Sequence, residues 1–147
     1  MLFTIKKLID AKPELCKQLK QKCYVINGCC TAVHKELGSF LNEYMYQDAL
    51  QIILDEEHIP YQREYYFDVV FHGKQISHKH YIDFLINDDI IVECKATEKI
   101  CAEHRQQLWN YMRLTGKQIG ILCNFAPPMD QIEHYYLDAT DGIMYMF

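Results

Sequence analysis

The stretch Tyr81 to Ala96, YIDFLINDDIIVECKA, constrains this chain more than any other, because it alternates with period two on both sides of Asn87-Asp88-Asp89. Alternation flanking a polar cluster predicts an antiparallel β-hairpin. With Asn87 to Asp89 as a three-residue loop, Ile86 pairs with Ile90, and the same register sets Asp83 opposite Glu93. Directly opposed side chains share one face, and Lys95, two residues beyond Glu93, joins them. Two carboxylates placed this way repel unless a cation lies between them. A bound divalent metal resolves the conflict. The competing reading is a surface hairpin with cross-strand ion pairs, and the apolar character of both strands argues against it.

The chain has 147 residues, 50% apolar and 24% charged, which suits one domain with a real core. The expected division is an N-terminal helical extension over 1–21, a core over 22–125 and a C-terminal strand region over 126–147. No apolar run approaches the roughly 18 residues of a membrane helix. Lysines interrupt the first apolar stretch at once, so no secretory signal is expected and the expected location is cytoplasmic. The seven cysteines are odd in number and form no CxxC pair, which fits buried small hydrophobes in a reducing compartment better than disulfides or zinc ligands. A net charge of −5 argues against broad electrostatic binding of nucleic acid and leaves local patches or metal-mediated contact.

Residues 3 to 23 predict one or two short helices with Pro13 in a first turn, and Lys22 to Leu37 a second helix weakened at Gly28 and closed by Gly38. Ser39 is the expected N-cap of a helix over Phe40 to Glu57, where Glu43 and Tyr46 lie on one face and Pro60 stops the pattern. Tyr61 to Phe71 and the alternation after Gly73 predict two strands joined near His72-Gly73-Lys74, the second passing through His78, Lys79 and His80. Thr97 is the expected cap of a helix running to about Leu114, with Gly116 as its stop. On it Gln107 and Tyr111 share a face, and His104 precedes Gln107 by a turn. Gln118 to Phe125 reads as a buried strand, Ala126-Pro127-Pro128 as a turn, and Ile143 to Phe147 as a closing strand after a short helix or strand. Helices before and between strands predict an α/β sandwich around a small mixed sheet.

Phosphodiester hydrolysis needs a cation to offset charge on the scissile phosphate, an activated water, and hard oxygen ligands. Asp83 and Glu93 supply the oxygens, the Cys94 carbonyl offers another, and Lys95 can orient water or stabilise a developing oxyanion. His34, His80 and His104 lack a second ligand at helical or strand spacing and are expected to be structural. His78 and His80 share a strand face with neither Asp83 nor Lys95. Lys74, Lys79, Lys95, Lys99, Arg105, Arg113 and Lys117 fall in the half of the chain carrying the hairpin and the next helix, where a phosphate backbone would lie.

From about Val33 to Phe125 the chain resembles the PD-(D/E)XK nuclease superfamily and, within it, the GxxExxY proteins. In VHKELGSFLNEYMYQDAL the family's Glu and Tyr match Glu43 and Tyr46; in YIDFLINDDIIVECKA the signature matches Asp83, Glu93 and Lys95; in HRQQLWNYMRLTG the match falls on Gln107 and Tyr111. The resemblance implies a restriction-endonuclease-like α/β/α fold and Mg²⁺ or Mn²⁺ held by Glu43, Asp83, Glu93 and the Cys94 carbonyl. It also implies a QxxxY element, as in RecB-like and phage exonuclease-like members, in which Gln107 and Tyr111 position Lys95 and the substrate backbone, with Tyr46 as a further substrate contact. Phe40 stands where the family has glycine and Ile82 where it has proline, while every implied catalytic position is kept. The expected function is therefore a metal-dependent nuclease acting on DNA, with RNA as the other candidate substrate. Its rivals are a nuclease-fold module that binds nucleic acid or a protein with little turnover, and a hydrolase of smaller phosphate esters, which the lack of a glycine-rich loop disfavours. A homodimer through an exposed helix or strand edge is compatible with such folds.

Overall fold

Asn87 and Asp88 adopt left-handed φ angles of 52° and 61°, which short polar side chains tolerate by bonding locally, and this closes the expected hairpin with Ile86 paired to Ile90. The structure is a computed structural model that describes residues 5–76 and 79–147; His78, expected on the strand leading into the hairpin, lies outside them. In chain order the elements are β1 (Lys6–Lys7), α1 (Leu8–Ala11), α2 (Pro13–Leu37), α3 (Glu43–Glu56), β2 (Tyr61–Phe67), β3 (Val70–Phe71), β4 (Lys74–Gln75), β5 (His80–Ile86), β6 (Ile90–Lys95), α4 (Ala102–Thr115), β7 (Ile119–Asn124), β8 (Gln131–Leu137) and β9 (Met144–Met146).

Seven strands form one mixed sheet in the order β1-β9-β8-β7-β6-β5-β2, while β3 and β4 make a separate small hairpin. β6 and β7 are parallel, so the chain must cross over between them, and α4 makes that crossing. The sheet is buried on both sides. Phe84, Ile86, Val92, Cys94, Ile121 and Cys123 pack towards α2 and α3; Ile82, Leu85, Ile91 and Leu122 pack with Leu108 and Met112 of α4. Two helical layers thus enclose the sheet, as the pattern of elements predicts, and six of the seven cysteines are buried, all as free thiols.

Three helices differ from the sequence expectation, each for a tertiary reason, and the strand expected over Tyr61 to Phe71 ends at Phe67. The first is α2, which runs unbroken through Gly28 and across the division expected at residue 21. An interior glycine costs a helix about 1 kcal/mol, whereas each fully buried apolar side chain contributes about 1.5–3 kcal/mol. Cys16, Leu19, Cys23, Ile26, Cys30 and Val33 bury one continuous face on both sides of it. Ahead of α2, Lys6 and Lys7 pair as a strand with β9 rather than forming helix.

The second is α3, which starts at Glu43 instead of Phe40. Phe40 has a φ of 62° and donates its N–H to the Ala126 carbonyl at 3.2 Å, so Asn42 becomes the cap, accepting the Met45 N–H at 3.0 Å. The third is α4, which starts at Ala102, because Thr97 is tied to β7: its N–H donates to Asn124 Oδ1 at 3.0 Å and its carbonyl accepts from Asn124 Nδ2 at 2.9 Å. Cys101 and His104 cap the helix reciprocally, and Gly116, left-handed at φ 74°, ends it as expected.

The seat of α4 on the sheet depends on Gly120. A Cβ there would lie 2.6 Å from Met112 Sδ and 2.9 Å from Leu108 Cδ1, both on fully buried side chains. Gly120→Ala is expected to lower stability in urea denaturation by about 1–2 kcal/mol, a moderate overpacking cost because the obstructing atoms are movable side-chain ends.

Candidate active site

The ladder between β5 and β6 ends at Phe84 and Val92, and at the following position side chains take over from backbone partners. The Asp83 N–H donates to Glu93 Oε1 at 3.2 Å, and the Cys94 N–H donates to Asp83 Oδ2 at 2.8 Å. Both bonds cross the same gap, so the two carboxyl groups lie on facing strands where the hairpin register sets them opposite each other. On the other side of β6 the Lys95 carbonyl accepts from the Phe125 N–H. Successive strand residues direct their backbone groups to opposite sides, which turns the Cys94 carbonyl towards β5 and the gap between the strands.

Burial raises Glu93, only 3% exposed, well above the usual carboxylate range, and the neighbouring Asp83 charge adds to this. Burial raises Asp83 as well, opposed by the Cys94 N–H, Glu93, Lys95 and Arg63. Two buried carboxyl groups facing one gap in the ladder mark a place where a cation would reconcile their oxygens. These are hard donors, and they fit a divalent ion.

Glu43 is the first residue of α3. Burial raises its carboxyl, Asp83 adds to the shift, and Lys95 and a hydrogen bond from Gln47 oppose it. That bond, from Gln47 Nε2 to Glu43 Oε1, is 3.2 Å long, and it holds Glu43 to its own helix. Among the described residues no group of three or more His, Cys, Asp or Glu side chains stands together as a ready-made metal cluster. Asp83 and Glu93 face each other across the hairpin, and Glu43 is within electrostatic reach of Asp83.

Lys95 leaves the end of β6 towards α4. Its Nζ donates to Gln107 Oε1 at 2.9 Å, and Gln107 Nε2 donates to the Tyr111 hydroxyl at 3.2 Å. The expected pairing of Gln107 with Tyr111 thus becomes a relay that fixes the lysine. Tyr111 is braced by the rings of Phe67 at 5.4 Å and His80 at 6.4 Å. Burial raises its phenol, and the charges of Glu93 and Asp83 raise it further.

Tyr46 does not fit the substrate contact expected of it. It is fully buried, stacks on Phe125 at 5.0 Å, donates its hydroxyl hydrogen to the Gly38 carbonyl at 2.7 Å and accepts the Leu41 N–H at 3.1 Å. It clamps the loop that aims Glu43. The three histidines each have a partner in the fold: His34 Nε2 lies 2.6 Å from the Pro127 carbonyl, His80 stacks on Phe67, and His104 caps α4.

Two residues escaped the sequence reading. Gln47, 3% exposed, holds Glu43 and in turn takes a 3.4 Å bond from Arg63, whose guanidinium also reaches Asp48 at 2.6 Å and Gln51 at 2.8 Å. The spacing of Gln47 four residues after Glu43 is a usable signal; Arg63, across the fold on β2, leaves none.

Residues 20–135 match the family described as the PD-(D/E)XK nuclease superfamily. The chain belongs to the PD-(D/E)XK nuclease superfamily. Its mixed seven-stranded sheet between helices agrees with the restriction-endonuclease-like fold of that superfamily, whose members generally use divalent metals. The crystal structure of SSO0001 is similar over 63% of this chain, with a TM-score of 0.51 and 21% sequence identity, a likeness of fold. The present chain covers 48% of that one. No curated protein matches the chain. Among the described residues no helix is long and apolar enough to cross a membrane.

Proposed function

We propose that the chain is a Mg²⁺- or Mn²⁺-dependent nuclease of the GxxExxY type that hydrolyses phosphodiester bonds in DNA. The observation that carries this reading is the pair of bonds by which the Asp83 and Glu93 carboxyl groups reach across the gap where the β5–β6 ladder breaks, beside a lysine fixed by Gln107. Asp83, Glu93 and the Cys94 carbonyl hold the ion, with Glu43 contributing from α3. When bound, a divalent cation offsets charge on the scissile phosphate and lowers the pKa of its water.

The remaining chemistry belongs to the chain itself. Lys95 presents its ammonium to the attacking water and to the charge that develops on the phosphate oxygens, in a site already shaped for it. Gln107 Oε1 accepts a hydrogen bond from one Lys95 N–H and so limits the directions in which the others point. Tyr111 holds the Gln107 amide and offers its edge to the sugar-phosphate backbone. Arg63 and Gln47 set the carboxylate of Glu43.

The test is cleavage of labelled single- and double-stranded DNA and of RNA, with Mg²⁺, with Mn²⁺ and with chelator. Metal-dependent shortening of DNA is expected. Failure of either ion to support cleavage of any of these substrates contradicts the proposal.

A further inference from the structure

The site lies at one end of the sheet, and that end carries most of the exposed aromatic surface. β6 and β7 both finish there, at Lys95 and Asn124. β5 starts there, and β2 ends beside it, Phe67 pairing with His80. The β3–β4 hairpin, which follows β2, must project from the same end. The loop before α3 is tied to it as well, through the Phe40 N–H and the Ala126 carbonyl just past β7.

Six aromatic side chains among the described residues are exposed, and five of them come from these segments: Phe40, Tyr44, Tyr66, Phe71 and Tyr81. Phe40, Tyr44 and Phe71 are 70%, 64% and 65% exposed. Tyr66 and Tyr81, opposite each other on β2 and β5, form an exposed pair with ring centroids 5.5 Å apart. Tyr81 is two residues from Asp83, and Tyr44 is next to Glu43. The sixth, Tyr24, lies far along α2.

Of these rings Tyr66 and Tyr81 are in contact and form an exposed aromatic surface two residues from Asp83. The net charge of −5 leaves little for non-specific attraction to a duplex, whose recognition begins with its phosphates. Unpaired bases ask for something else: π-faces on which to stack, which duplex bases do not expose.

Resting on the nuclease reading above, we infer that this end of the sheet binds single-stranded DNA by stacking unpaired bases on the exposed Tyr66–Tyr81 pair, delivering the strand to Asp83 and Lys95. Lys74, which opens β4, and Lys79, just before β5, are both exposed and supply the cations for the backbone. With Lys95 they are three cations, so the slope of log affinity against log salt has a magnitude of about 2, from a release of roughly 0.7 counterions per phosphate contact on single strands.

The experiment is fluorescence anisotropy with a labelled single-stranded oligodeoxynucleotide and the matching blunt duplex, in Ca²⁺ and in chelator, across a salt series. The single strand is expected to bind at least about tenfold more tightly than the duplex. The double variant Tyr66→Ala/Tyr81→Ala is expected to lose roughly tenfold or more in single-strand affinity, within the range for base–aromatic stacking. Tyr66→Phe/Tyr81→Phe keeps both rings and is expected to bind as wild type, as is Tyr24→Ala. Thermal melting of each variant separates lost binding from lost fold. Equal or tighter duplex binding, or an alanine pair that melts and binds as wild type, overturns the inference. Cleavage that persists unchanged in the alanine pair also overturns it but leaves the nuclease standing; stacking-dependent binding without metal-dependent cleavage does the reverse.

Discussion

Lys95→Ala is expected to lower metal-dependent cleavage by about 10²–10³-fold, the usual effect of removing one preorganised charge-stabilising donor, with the fold retained. The fold should survive because the lysine is the last residue of β6 and its amine bonds Gln107 on α4, while the apolar packing of β6 comes from its neighbours. Asp83→Asn should reduce the rate at least as far, since it takes away a charge around which the ion site is built while keeping an oxygen for the Cys94 N–H. Gln107→Leu leaves the lysine in place and removes only its orientation, so a loss of about tenfold is expected, seen in kcat more than in KM. Single-turnover rates on one labelled substrate, with circular dichroism as the control for folding, give all three. Wild-type cleavage by Lys95→Ala would remove the lysine from the mechanism.

The second large effect is on stability. Tyr46→Ala is expected to cost about 3–5 kcal/mol, because it empties a fully buried aromatic site against Phe125. Tyr46→Phe keeps the ring but leaves the Gly38 carbonyl and the Leu41 N–H without their partner, at about 1–3 kcal/mol. Chemical denaturation measures both. The phenylalanine variant also separates two roles for this residue: as the clamp of the loop before α3 it should leave KM unchanged, whereas a substrate contact would raise KM with little loss of stability.

The parts of the site legible in the sequence are those set by local rules. Period-two alternation around Asn87-Asp88-Asp89 is enough to predict the hairpin, its register and hence the meeting of Asp83 with Glu93, because one slipped residue would turn every side chain over. The four-residue spacing of Gln107 and Tyr111 places both on one helical face in the same way. What escaped is held by contacts between distant segments. Burial of a continuous α2 face outweighs the helix-breaking tendency of Gly28. The bond from Phe40 to Ala126, across the fold, moves the start of α3 so that Glu43 becomes its first residue. The sequence pairs Tyr46 with Glu43 on one helix, and only the packing of Phe125 shows that the tyrosine faces inward. Arg63, which anchors Gln47 and through it Glu43, comes from the edge strand and carries no spacing signal at all.

The central claim is that Asp83 and Glu93 converge in order to share a divalent ion. Titration of Mn²⁺ followed by electron paramagnetic resonance tests it without any substrate. One saturable site in the wild-type protein, lost in Asp83→Asn and kept in Lys95→Ala, is the predicted result. Absence of a bound ion in the wild type, or a site that survives Asp83→Asn unchanged, would contradict it.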